Sequence, residues 1–204
     1  MVGTYSGGVG NEGFFYVAGV DEAGRGALAG PVVAAAVVLR EDVEIPGLAD
    51  SKSLTALHRA ELCSIILEEA AAVGVGIASV GVVDAENVLN AALLAMARAV
   101  ERTEIIPRYV LVDGNKKIPT LVPQTPIVGG DGKVASISAA SIVAKVRRDA
   151  MMERLAVAYP RYGFEKHKGY ATARHKEALK RYGPTPHHRY TFRPVRECMY
   201  VVSS

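Results

Sequence analysis

Asp21 and Glu22 stand side by side where an apolar run stops, in YVAGVDEAGRGALAGPVVAAAVVL, residues 16–39. Adjacent side chains on an extended backbone point to opposite sides of a sheet, so an open face solvates only one of the two. The other needs a partner, and Arg25 is the one basic residue beside them. Divalent cations can hold two such carboxylates together by neutralising them. Further acids occupy suitable places: Asp113 ends the apolar run RYVLVD, and Asp131 precedes a long helical pattern. Asp113-Gly114 is also a good turn dipeptide, and Asp131-Gly132 also reads as a helix cap. Together, four acids at strand ends and a helix start form an all-oxygen ligand set. That set points to Mg2+ or Mn2+, and two such ions side by side suit phosphodiester hydrolysis. On chemistry alone Asp84 and Asp149 remain eligible members.

Gly24-Arg25-Gly26-Ala27-Leu28-Ala29 matches G-x-G-x-x-A. A dinucleotide-binding turn would require a helix to start at the glycines, facing a pyrophosphate. Gly30-Pro31 and a β-branched and alanine run follow instead, and Asp21 and Glu22 would repel the phosphates. The match is rejected.

The elements that must position these residues follow from the hydrophobic pattern. Residues 14–20, 31–39 and 74–83 read as three strands. Between the second and third, SLTALHRAELCSIILEEAAA predicts a helix of about four turns capped by Ser53 or Thr55. Residues 84–103 predict a second helix capped by Asp84, which leads into the short strand RYVLVDGN. After the Pro-rich IPTLVPQTP and the short apolar IVGGDG, a long helix runs from about Val134 to Ala158. Its small-residue opening, SISAASIVAKV, suits close packing on a sheet. A further helix is predicted at ATARHKEALKRYG. Strands early and helices interleaved later describe a mixed α/β architecture.

The chain has 204 residues, half of them apolar, enough for one substantial core. The predicted organisation is a polar Gly-rich tail over 1–13, a main domain over 14–158 and a helical extension over 159–204. No stretch reaches about 18 uninterrupted apolar residues, and the first residues lack a signal-peptide pattern, so a cytoplasmic protein is expected. Cys63 and Cys198 stand apart, indicating neither disulfide nor zinc. The net charge of +3 divides unevenly: residues 1–144 hold 10 Lys/Arg against 16 Asp/Glu, and residues 145–204 hold 14 against 5. A cation-binding first part and a polyanion-binding second part fit that division.

The motifs GVDEAGRGALAGPVVAAAVVL, LADSKSL, VLVDGN, GGDGKVASISAASIVAKVRRD, YGFEKHKGYATARHKEAL and GPTPHHRYTFRPV occur in that order. The series resembles the type II ribonucleases H, the ribonuclease HII family, over about residues 14–196. The resemblance implies a ribonuclease H-like fold, a five-stranded mixed sheet flanked by helices, with a small helical C-terminal part. It implies a four-acid active site at Asp21, Glu22, Asp113 and Asp131. It implies that Gly24, Arg25 and Gly26 contact the nucleic acid at the ribonucleotide and that Tyr170 stacks on the sugar of the following deoxynucleotide. The implied reaction cleaves RNA in RNA–DNA hybrids and incises 5′ of single ribonucleotides in duplex DNA, leaving a 3′-hydroxyl and a 5′-phosphate.

Reading one 2′-hydroxyl through backbone groups requires space, which the glycines supply. Arg25 and Lys52 are expected phosphate contacts, and the basic residues around 145–193 would track the duplex. His167, His175, His187 and His188 lack zinc-ligand spacing and are expected to pack or to meet phosphate. MYVVSS shows no glutamine-led clamp-binding peptide, and a monomer is expected. The competing readings are a nucleic-acid-binding module without catalysis and a DNA exonuclease with a similar acid set.

Overall fold

Valine and alanine dominate the segments that form β1 (Val17–Ala23) and β2 (Val32–Val38), which pair antiparallel with Val20 opposite Ala36. The computed structural model describes residues 16–41, 43–48 and 54–201. β2 also pairs antiparallel with β3 (Ala72–Ala78), while β4 (Tyr109–Asp113) lies parallel to β1 and β5 (Gln124–Ile127) parallel to β4. The sheet is therefore mixed, in the order β3-β2-β1-β4-β5. Pro126 sits in β5 at the sheet's edge, where a missing N–H costs least.

Period-two alternation divides the core between two faces. Ala18 and Val20 of β1, Ala34 and Ala36 of β2 and Val110 and Val112 of β4 pack with helix α2 (Val80–Glu101). The opposite face is covered by α1 (Ala56–Glu69) and α3 (Ala135–Ala158), through residues such as Ile66, Ala139, Ile142 and Val143. α3 crosses β1 at backbone contact: a Cβ on Gly19 would land on the main chain of Ser136 and Ile137. α2 is the one described helix long and apolar enough to cross a membrane. Here its buried Ala91, Ala95 and Ala99 lie on the sheet.

Several boundaries differ from the sequence reading: β1 runs beyond residue 20 through Asp21 and Glu22 to Ala23, and β5 forms at the end of the Pro-rich stretch, where no strand was expected. The run 74–83 is not all strand: β3 ends at Ala78, and the Ser79 hydroxyl caps a helix that starts at Val80, four residues before Asp84. Asn87 then leaves helical geometry at φ 64°, and its Oδ1 accepts from the N–H groups of Leu89 and Asn90, recapping the helix. Asp131 is not the cap of α3; it lies in a 3-10 turn over Gly130–Gly132, and Val134 begins the helix without side-chain help. Thr55 caps α1, and Ser53 lies outside the described residues.

Beyond α3 the chain forms α4 (Phe164–His167), α5 (Ala173–Tyr182) and α6 (Arg193–Val201). This segment returns to the β1–β2 connection through isolated bridges between Ala27 and Tyr170 and between Ala29 and His188.

Candidate active site

The parallel register of β1 and β4 places Val20 beside Val112, so the next residues with side chains on the α3 face, Asp21 and Asp113, leave neighbouring strands together. They do so at the carboxyl ends of both strands, where open α/β sheets place their ligands. Asp113 Oδ1 accepts from the N–H groups of Gly130 at 2.7 Å and Asp131 at 3.4 Å, tying the 3-10 turn to the end of β4. A residue over 100 positions from Asp21 is thereby brought to the same strand ends.

Asp21 is 6 % exposed. Burial, and next the charge of Glu22, push its carboxyl well above the ordinary carboxylate range, with Asp113 adding in the same direction. The Ser141 hydroxyl and the Glu22 N–H, 2.7 Å from Asp21 Oδ1, oppose that rise. Burial also raises Glu22, against the pull of the Arg25 guanidinium 3.2 Å away. Repelling, half-dehydrated carboxylates are costly unless a cation enters among them. Among the described residues no three acids or imidazoles already surround one point as metal ligands: Glu22 is turned to Arg25 and Asp113 to the turn amides. The donor set nevertheless fits a hard divalent ion, because the donors are carboxylates and the raised proton affinity of Asp21 and Glu22 marks the charge that an ion would relieve.

The two other acids that chemistry left eligible are engaged elsewhere. Asp149 pairs with Lys145 at 2.7 Å. Asp84 accepts from the N–H groups of Tyr190 and Thr191 and from the Thr191 hydroxyl, fastening the C-terminal segment to the start of α2.

The Gly24-Arg25-Gly26 stretch is held from beneath by two fully buried arginines. Arg189 donates to the carbonyls of Gly24 (2.8 Å), Arg25 (2.8 Å) and Gly30 (2.9 and 3.1 Å). Arg148 donates to those of Ala29, Pro31 and Lys168. Burial lowers the pKa of both, that of Arg189 to about 10, and carbonyl oxygens in place of carboxylates satisfy the charge. Drawing the carbonyls inward turns the other side of the peptide units toward the groove. Among the described residues the N–H groups of Arg25 and Gly26 meet no protein acceptor. Gly24 has φ +100°, and a Cβ there would strike the Arg148 side chain.

That side of the loop borders a groove of about 370 Å³ lined by Glu22, Gly24, Arg25, Gly26, Lys145 and Tyr170. Arg59 and Ser141 also reach it. Tyr170 is 36 % exposed, and its ring lies 5.3 Å from the Arg148 guanidinium and 5.8 Å from Lys145 Nζ. The structure thus brings Asp21, Glu22 and Asp113 together at one end of the sheet beside the glycine loop and Tyr170, with the main chain of Asp131 tied to Asp113 in the adjoining turn. Lys52 lies outside the described residues. Of the basic residues around 145–193 expected to track the duplex, Lys145 lines the groove, but Arg148 and Arg189 are fully buried on backbone carbonyls and serve the loop instead; Ser141 and Arg59 were not singled out by sequence reasoning. The one signal for the arginines was their position in dense motifs, since burial against carbonyls leaves no pattern in a sequence.

The family model described as Ribonuclease HII matches residues 18–195. A ribonuclease HII of Bacillus licheniformis is 52 % identical over 185 residues, covering 91 % of this chain and 72 % of that relative. One of Geotalea daltonii is 52 % identical over 186 residues, covering 91 % and 86 %. Among solved structures, the ribonuclease H2 of Pyrococcus horikoshii superposes with a TM-score of 0.79 at 29 % identity, covering 92 % of this chain and 99 % of that one. The PCNA:RNase HII complex from Archaeoglobus fulgidus contains a chain matching with a TM-score of 0.76 at 27 % identity, over 87 % and 95 %.

Proposed function

The chain belongs to the ribonuclease HII family and is a metal-dependent endoribonuclease of the ribonuclease H type, and from that premise we propose a finer reading. It incises duplex DNA on the 5′ side of an embedded ribonucleotide, as well as cutting the RNA strand of RNA–DNA hybrids. Asp21, Glu22, Asp113 and Asp131 hold two divalent ions, and Gly24, Arg25, Gly26 and Tyr170 select the site. The observation that carries this reading is the convergence of Asp21 and Glu22, both dehydrated by burial, with Asp113, whose charge raises both, beside a groove edged by the glycine loop and Tyr170.

Mg2+ or Mn2+, when bound, would supply a more acidic attacking water and charge stabilisation at the departing 3′-oxygen. The protein's own groups do the rest. Asp113 carries the turn that holds Asp131, so the two acids are set as a unit. Peptide N–H groups of Arg25 and Gly26 are open to a 2′-hydroxyl, which accepts as well as donates. Without a side chain at Gly26, the sugar can approach the main chain; an added Cβ would come within 3.9 Å of the Tyr170 ring. Arg25 is half exposed and reaches both Glu22 and the groove, which suits a phosphate contact. Lys52 is assigned a second phosphate contact on its place in the DSKSL motif.

The test is a DNA duplex with one ribonucleotide, incubated with Mg2+, with Mn2+ and with chelator. Incision 5′ of the ribonucleotide with metal alone, leaving 3′-hydroxyl ends, is expected. Binding without incision under every metal would instead describe a nucleic-acid-binding module, and attack on an all-deoxy duplex end would describe an exonuclease.

A further inference from the structure

Tyr170 is held by imidazoles that the chemistry above does not use. Its carbonyl lies 2.9 Å from His175 Nδ1; His175 Nε2 and His188 Nε2 meet at 3.0 Å; His188 Nδ1 is 2.9 Å from both the N–H and the Oγ1 of Thr185. Both rings are fully buried. Only one proton arrangement serves every contact. A carbonyl can only accept, so His175 carries its proton on Nδ1 and its Nε2 is an acceptor. At the far end the Thr185 N–H can only donate, so His188 Nδ1 is the acceptor and its proton sits on Nε2, aimed at His175. The two ends, reached independently, impose the same direction.

The surroundings leave little freedom. His175 stacks on His167 with ring centroids 4.4 Å apart, and Phe164 meets both His167 and His175 edge-on. His167 is itself committed, with Nε2 2.8 Å from the Tyr162 carbonyl and Nδ1 accepting from the Gly169 N–H. Gly169 in turn accepts from the Leu28 N–H, and Tyr170 bridges to Ala27. The line of contacts therefore runs from Thr185 through two histidines to the Tyr170 main chain and onward to the loop that carries Gly24 and Gly26.

We infer that His175 and His188 are positioning residues: the Thr185–His188–His175 relay fixes the Tyr170 main chain, and with it the ring, so that the C-terminal segment sets selectivity for an RNA–DNA junction. This rests on the assignment of Tyr170 to the junction made above. The phenol ring need not touch either imidazole; the relay acts through the carbonyl that both His175 and the Thr172 N–H engage.

Two substitutions separate hydrogen bonding from packing. His175→Phe keeps a ring in the stack and removes both hydrogen bonds, whereas His175→Asn gives up the ring and restores an amide donor near the Nδ1 position. The readout is kcat/KM for a single embedded ribonucleotide divided by kcat/KM for a long RNA–DNA hybrid. His175→Phe is expected to lower that ratio about tenfold, His175→Asn to recover most of the loss, and His175→Phe to cost nothing further in a Tyr170→Ala background. A larger loss for Asn than for Phe, or independent losses in the double variant, would overturn the relay. If the substituted proteins fold poorly, long-range 1H–15N spectra of the unsubstituted protein decide: Nδ1–H on His175 and Nε2–H on His188 are expected, and Nε2–H on His175 overturns the inference. A Tyr170→Ala variant with an unchanged ratio would sink the junction role of Tyr170 and this inference with it. A lowered ratio in Tyr170→Ala beside an unchanged one in His175→Phe would sink the relay alone.

Discussion

Arg189 donates to the Gly24 carbonyl at 2.8 Å although 165 positions separate the two residues. The same guanidinium reaches Arg25 and Gly30, so a single planar fork sets the curvature of the loop that follows the two adjacent acids. A lysine has the charge without the fork. Arg189→Lys is expected to lose about 3 kcal/mol of stability, because buried carbonyls are left without donors. Denaturant midpoints measure the loss, and a midpoint unchanged from the parent would show that the loop holds itself.

Asp21→Asn should separate stability from activity. The folded-state pKa of Asp21 is raised, so the native state holds its proton more tightly than the unfolded chain and stability falls as pH rises through that raised pKa. Removing the charge is expected to stabilise the protein at pH 7 in chelator by about 1–2 kcal/mol. Cleavage should be abolished while duplex binding persists, and the rise in melting temperature given by Mg2+ or Mn2+ should shrink. Destabilisation in chelator would contradict the repulsion inferred among the acids.

Acid should loosen the C-terminal segment through its histidines. Burial lowers His175 to about 4 and His188 to about 3, while His167 is lowered by the same cause. Neutral in the fold and near 6.5 when unfolded, they contribute stability fully above about pH 6.5. It is lost as pH falls toward the folded values, at up to about 1.4 kcal/mol per pH unit for each histidine. The raised carboxylates of Asp21 and Glu22 act in the opposite sense, so the measurement is the difference between the parent and His188→Asn across pH 4–7. A difference that stays flat over this range would refute the assigned burial cost.

Gly24→Ala is expected to impair folding of the loop. The residue sits at φ +100°, and a methyl group would meet the Nε and Cδ atoms of Arg148. A loss of at least about 2 kcal/mol is expected from strain and from displacement of Arg148. Thermal melts give the stability and incision assays the activity; a variant with parental values in both would show that the loop tolerates a side chain there.

Much of the fold was legible from periodicity. β2, α1, α3 and α5 fall where the apolar pattern put them, because their buried faces repeat at the spacing of the element itself, whereas β1 continues past the predicted run through Asp21 and Glu22 to Ala23. The start of α2 was not legible: Val80, Val82 and Val83 read as strand, and only the Ser79 cap and the packing of Val83 made them helix. α4 and α6 were missed as well, being short and shaped by contacts with distant segments.

The sequence by itself determined the residue types of the site: acids where apolar runs end, glycines beside them, and a basic second part. Each of these is a local property of a strand end or a turn. Only the tertiary structure decided which acids meet. It aligned Asp21 with Asp113 through the parallel β1–β4 register and drew Asp84 and Asp149 into other contacts. It also placed Arg148, Arg189 and the histidine relay beneath the loop. Such groups are set by distances between remote parts of the chain, and a buried arginine bonded to carbonyls has no more sequence pattern than an exposed one.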